Sequence, residues 1–329
     1  MFRDVLIGAS AMALLTVTPL MASSSLFYLE AQGVAGYSSS EKKEIFYSIH
    51  QQDSMQKPSV GFDYVQKFSG DTGDIATLAV QMRASFDRTR SMDGYIEPQL
   101  YNAYLKFKTP AFDLWIGHDR PALGLSSYFD SHGLLLPTLA MEGFGFDRDW
   151  GGGLYRQFDF GDLSVSATTG SGMPPYFKGS YLASARIGIG VLSRDNYTVG
   201  FSGGYGHVLD TMGVNIISSS VHGFGMGGID YTQLWNNLEF RIDCLAGKRE
   251  GKLAAAALFR MGINLLDEDR LKIEVQPVYW RMGHENNYQA FGSVSYIITE
   301  YLTVRTMYEY DYHANDHKVV GQLYFYWRV

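Results

Sequence analysis

The sequence predicts an all-β fold: a transmembrane antiparallel β-barrel of about sixteen strands, with its third long loop folded inward. Three observations lead there. Apolar and polar residues alternate in stretches longer than the ~5–6 residues of ordinary strands and close to the ~9–11 needed to cross a bilayer at a tilt. Every second connection between these stretches is tight, whereas several of the others are long. The rhythm fails once, over residues 119–148, and so long an irregular insertion in a compact domain is usually either functional or a sign that the elements are wrongly assigned.

Taken in order, the chain opens with Arg3, an apolar run Val5 to Leu20 and a small-residue stretch Met21 to Ser25. That order is the pattern of a secretory signal peptide over 1–24, with cleavage after Ala22 or Ser24; the alternative is a membrane anchor helix. Residues 25–329 would then form the barrel. They hold no apolar run near the ~20 residues of a helical span.

Candidate strands fall at 26–37, 59–69, 75–88, 97–108, 112–118, 149–159, 162–170, 180–192, 197–208, 219–233, 237–247, 252–265, 271–282, 287–298, 302–313 and 317–329. The last two show the pattern most plainly. Val304, Thr306, Tyr308 and Tyr310 alternate with Arg305, Met307, Glu309 and Asp311, and Val319, Leu323 and Trp327 alternate with Lys318, Gln322 and Arg328. Residues 43–50 offer one further short strand. The tight connections carry Gly, Asn, Asp or Pro, as turns require. The long ones are expected at 38–58, 89–96, 119–148, 171–179 and 209–218.

With 23 Tyr and 20 Phe, aromatics gather at strand ends: Phe160, Trp235 and Tyr301 by the short turns, and Tyr181, Tyr288 and Tyr312 by the longer loops. Two such belts mark the two faces of a membrane. In that frame the apolar rows face lipid and the charged rows face the lumen. Arg83, Lys106, Arg241, Arg260, Arg305 and Glu309 then belong to the pore wall, where charge sets ion preference. The alternative is that opposite charges on neighbouring strands pair and merely keep the wall polar.

Composition narrows the function classes. Net charge is −7 and the Lys and Arg residues are scattered, which argues against nucleic acid as a partner. Cys244 is the only cysteine, so no intrachain disulfide, thiolate zinc cluster or covalent haem motif is available. Of eight His only His313 and His317 lie close together, too few for a metal site. His118, His207 and His222 accompany no nucleophile motif. Neither an enzyme nor a cofactor is expected.

The segment Trp115 to Leu125 and the later Phe146-Asp147-Arg148-Asp149-Trp150-Gly151 resemble Gram-negative porins of the phosphate-selective O/P-like type. In those, a strand ending in Gly runs into a Pro-x-Gly turn, and an Arg-Asp-x-Gly element opens the next strand. Here the turn reads Pro121-Ala122-Leu123-Gly124, one residue longer. The resemblance implies an outer-membrane location, a homotrimer and a third loop that narrows the channel. Pro121 and Gly124 would shape its start, and Arg148 and Asp149 would anchor its end. Asp119, Arg120, Asp130, His132, Glu142, Asp147 and Arg148 would line the constriction. The phosphate-selective members carry lysines there. This chain has none between Asp119 and Asp147, so a general or weakly cation-preferring channel fits better.

The expectation is therefore passive diffusion of small hydrophilic solutes or ions through a barrel embedded in outer-membrane lipid. Leu134, Leu135, Leu136, Leu139, Met141, Phe144 and Phe146 leave a second possibility open. They suit a loop pressed on the inner wall, but also a surface gripping another protein, the barrel then being a scaffold or sheath for an electron-transfer cytochrome.

Overall fold

A computed structural model of the chain describes residues 22–51, 56–71, 73–87 and 95–329. Residues 1–21 of the expected leader lie outside these, and the first strand begins at Ala22. Among the described residues seventeen strands form one sheet, and sixteen of them close the wall. In chain order these are β1 (Ala22–Ser38), β3 (Ser59–Gly70), β4 (Gly73–Phe86), β5 (Ile96–Lys108), β6 (Asp113–Asp119), β7 (Asp149–Phe158), β8 (Gly161–Thr168) and β9 (Tyr181–Ile189). The second half comprises β10 (Tyr197–Met212), β11 (Asn215–Trp235), β12 (Leu238–Arg249), β13 (Lys252–Leu265), β14 (Leu271–Met282), β15 (Glu285–Thr299), β16 (Leu302–Asp311) and β17 (Asp316–Arg328). The short β2 (Lys43–Ile45) pairs with the end of β1 and adds nothing to the wall.

Neighbours in sequence pair antiparallel throughout. Closure comes from β1, which pairs with β3 from Ala22↔Ser69 to Gln32↔Ser59 and with β17 from Tyr28↔Arg328 to Ser38↔Lys318. No open edge remains among the wall strands, which is how a sheet satisfies its backbone groups away from water.

Alternation sorts the side chains as the sequence predicts. Ile116, Leu154, Phe201, Phe259 and Leu323 point outward and are exposed, whereas Arg83, Arg186, Asp230, Arg260 and Gln322 point inward and are buried. Exposed aromatics ring both ends, among them Phe160, Trp235 and Tyr301 at the short turns and Tyr181, Tyr288 and Tyr312 at the other end. An apolar exterior bounded by two aromatic rings belongs in a bilayer.

Two expectations fail. The connection expected at 209–218 is a hairpin: β10 and β11 continue to Met212 and Asn215, with Gly213 at φ 55° in the turn. Register shifts on either side of Asp210 break the period of two there, which hid the strands. Among the described residues the long loops therefore all precede β9 (Tyr181–Ile189). The inward row is also not polar throughout. Leu182, Val208, Phe224, Met226, Leu245, Leu258, Val278, Phe291 and Met307 form an apolar cluster on the inner wall.

Candidate functional site

The connection 120–148 is held by side chains of the wall's inward rows on opposite sides of the barrel. It leaves β6 beyond Gly117, whose φ of 127° places its α-carbon where any Cβ would strike the Ala103 carbonyl. Ala122 N–H then donates to Ser166 Oγ on β8 and Gly124 N–H to Ser202 Oγ on β10, each at 3.0 Å. Gly124, at φ 59°, approaches Asp243 so closely that a Cβ would lie 2.9 Å from its carboxylate. Pro121 and Gly124 thus turn the loop against the wall.

From there the chain crosses the lumen. The Tyr128 hydroxyl lies 2.9 Å from Thr232 Oγ1 on β11, and its ring lies 4.4 Å from the Arg186 guanidinium. Phe129 packs between Arg241 (4.4 Å) and Arg260 (5.0 Å). His132 reaches the other side, with Nε2 3.0 Å from Glu30 on β1 and 3.0 Å from Gln81 on β4. The chain then returns: Pro137 O accepts from Arg260 (2.9 Å) and from Gln276 (3.0 Å). Leu135, Leu136, Leu139 and Phe144 are fully buried in the inner-wall cluster. At roughly 1.5–3 kcal/mol per buried large apolar side chain, these four residues are a main reason the loop stays docked.

The far end is clamped by Arg148. Its Nε donates to Asn102 Oδ1 (2.8 Å), its Nη1 to the Asp147 carboxylate (3.2 Å), and its guanidinium lies 4.3 Å from the Tyr101 ring centre. Asp149 plays a different part from the one its neighbour plays. It accepts from the Trp150, Gly170, Ser171 and Gly172 backbone and the Thr169 hydroxyl, and so holds the following loop.

The constriction residues named from sequence fall into three groups. Arg120, Asp130, Asp147 and Arg148 come together: Arg120 lies 3.0 Å and Arg148 3.6 Å from Asp130. Asp130 is 58% exposed, the most open of the four. Burial by the surrounding walls works against its charge, but Arg120, Arg148 and the His132 N–H outweigh it and hold the carboxyl below its usual range. His132 is a bridge to Glu30 and Gln81. Glu142 lies apart, in a recess on the long-loop side with Asp210 and Arg249, and Asp119 ends β6 opposite Asp149.

The pore-wall residues divide in the same way. Arg83 pairs with Glu30 at 3.0 Å, both fully buried, and Glu309 pairs with Lys318 at 3.2 Å. Arg260 clasps the loop. A buried guanidinium or carboxylate needs partners, and these three have them. Solvent reaches Lys272 and Glu239, 2.9 Å apart, and to a lesser degree Arg241 beside them. Arg305 donates to Gln322 and lies over Tyr324, and Lys106 lies over Tyr104. Sequence reading missed Glu30, Tyr101, Tyr128, Phe129 and Gln276. The inward row Tyr28, Glu30, Gln32 could have disclosed the first.

Among the described residues no group of three potential ligands is placed to hold a metal ion. His118 is buried against Trp150 and His207 packs on Tyr181. No protein-family model matches the sequence, and no curated protein matches it. Solved structures do match in fold. The anion-selective porin from Comamonas acidovorans superposes with a TM-score of 0.64 at 7% identity, covering 93% of this chain and 100% of its own. The trimer form of OmpT, an outer membrane protein of Vibrio cholerae, gives 0.63 at 13%, with 93% and 100% covered. The chain has the fold of an outer-membrane β-barrel. The outer membrane channel DcaP of Acinetobacter baumannii, at TM-score 0.59 and 10% identity over 93% and 98% of the two chains, shares the same barrel plan. The architecture is porin-like, and identities this low speak of fold alone.

Proposed function

We propose that the barrel is a channel for passive diffusion of small polar solutes or ions, narrowed by the loop 120–148. One observation carries this reading: the loop is pinned to facing walls, at Glu30 and Gln81 on one side and at Arg260 and Gln276 on the other. A loop so held sets the width of whatever path remains. Asp130 is its solvent-facing charge, with the Lys272 and Glu239 pair on the wall. Fixed charge in a narrow, low-dielectric opening acts on a passing ion far more strongly than it would in bulk water.

The resemblance to the phosphate-selective type supports the loop's start and end and not its solute. Without lysine in the loop and with Asp130 in the open, we read the channel as general or weakly cation-preferring. We also propose a trimer, a leader removed near residue 24, and no catalytic role. The sheath reading has less to rest on, since Leu135, Leu136, Leu139, Phe144 and Phe146 of the residues that suggested it pack on the barrel's own wall.

The test is reversal potential in a salt gradient across a planar bilayer. Asp130→Lys shifts it toward anions. An unchanged value takes the loop out of the permeation path.

A further inference from the structure

On the lipid-facing side of β12 to β16 the outward row shrinks. Cys244, Ala257, Pro277 and Ala290 stand where neighbouring rows carry Ile, Phe, Met and Val, and they are register neighbours through Cys244↔Ala257 and Pro277↔Ala290. The β13–β14 pairing skips from Leu258↔Val278 to Met261↔Val275 beside Pro277, which has no N–H to give. The result is a hollow of about 510 Å³ at membrane depth. Ile242 and Phe259 bound it toward the short turns. Toward the long-loop end it is rimmed by Tyr279, Tyr288, Tyr310 and Tyr312. Tyr279 and Tyr288 lie 4.8 Å apart, and Tyr288 meets Tyr312 edge-on at 6.2 Å.

Directly above the tyrosines the outward rows turn cationic. Arg281 follows Tyr279 by two positions on β14 and pairs in register with Ala255 and Asn286. Lys248 follows Cys244 by four on β12 and pairs with Leu253. Both are exposed. A smooth apolar floor, an aromatic rim at interface height and positive charge beyond it match one chemistry: an acyl chain whose anionic head sits at the membrane surface. Long loops mark the outer face of such barrels. We infer that this hollow binds one acyl chain of a phosphorylated, multiply acylated glycolipid of the outer leaflet, with Arg281 and Lys248 engaging its phosphate. The inference rests on the barrel's place in the outer membrane and not on the channel reading, so conductance does not enter its test.

Cys244, the chain's sole cysteine and exposed on the floor of the hollow, reports occupancy. The rate of its alkylation by N-ethylmaleimide is followed by intact mass on the full-length barrel in detergent. The lipids compared are bisphosphorylated hexa-acyl lipid A and the same lipid with its phosphates removed. The phosphorylated lipid slows labelling about tenfold at about ten times its dissociation constant, since protection scales as 1 + [L]/Kd. The dephosphorylated lipid at equal concentration does much less. The double variant Arg281→Glu, Lys248→Glu removes the difference between the two lipids. Ala290→Phe, which fills the floor, removes the lipid effect altogether; heat-modifiable gel migration checks that each variant is folded. Equal protection by both lipids in the wild type overturns the inference, as does none by either. So does full protection without lipid that is lost when the oligomer is dissociated, which would mean that a second copy covers the hollow.

Discussion

His50 shows at the scale of one residue how the lumen is kept in order. It lies in the first long loop, whose Ile45, Tyr47 and Ile49 are buried and whose Ile49 O accepts from Lys318 Nζ at 2.9 Å. Burial, then the nearby Lys318, lower its pKa to about 4, against a smaller opposing effect of Asp311. The docked loop therefore favours neutral His50. An undocked His50 takes up its proton near its ordinary value of about 6.5. The contribution to docking is complete above that pH and is lost as pH falls from about 6.5 toward 4. The opening of residues 39–51, read by hydrogen exchange corrected for its intrinsic pH dependence, should increase as pH falls over that window, and His50→Gln should flatten the dependence; a profile identical in the variant would assign the change to another group. Arg260 makes the complementary point. The alternation shows that it faces inward, but only its partners, Gln276 and the Pro137 carbonyl, turn it from a pore charge into a clasp.

At the scale of the element, strands and loop differ in how much of them was legible. Alternation placed each wall strand, with ends within four residues of those observed, because a lipid-facing side chain and a lumen-facing one mostly differ in kind. Phe259 tests that parity. It is outward and exposed on β13, and Phe259→Arg should cost ~2–4 kcal/mol near mid-membrane and impair insertion. Normal heat-modifiable migration of that variant would mean the parity is wrong there. The hairpin at Gly213 was not legible, since the shifts around Asp210 disrupt the very period being read. The loop's irregular sequence disclosed that it was special and that its apolar residues needed cover. It did not disclose the cover, because Leu182, Phe224, Leu245 and Val278 lie on inward rows expected to be polar. Leu139 is fully buried in that cluster. Leu139→Asp buries a charge without a partner there and should loosen the loop, read as faster proteolysis within 134–146 while the barrel still migrates as folded.

For the whole molecule, the closed wall and the docked loop are separable. Closure by β1 between β3 and β17 is made by the backbone ladder and involves no residue of the loop. The loop instead fills space that sixteen strands leave wide. The start and end of the candidate site, at Pro121–Gly124 and Arg148, were legible from two short motifs. Its middle was legible only in part: Asp130 and His132 stood out as polar residues, but the contacts of Tyr128, Phe129 and Pro137 did not, because their partners come from strands distant in sequence. The central claim is that this loop narrows an otherwise wide channel. Single-channel conductance in a planar bilayer tests it most directly, comparing the wild type with a chain in which residues 125–143 are replaced by a short Gly-Ser linker. The account predicts discrete steps for the wild type and several-fold larger steps for the shortened chain. Equal conductance from the two, or no steps from either, would contradict it.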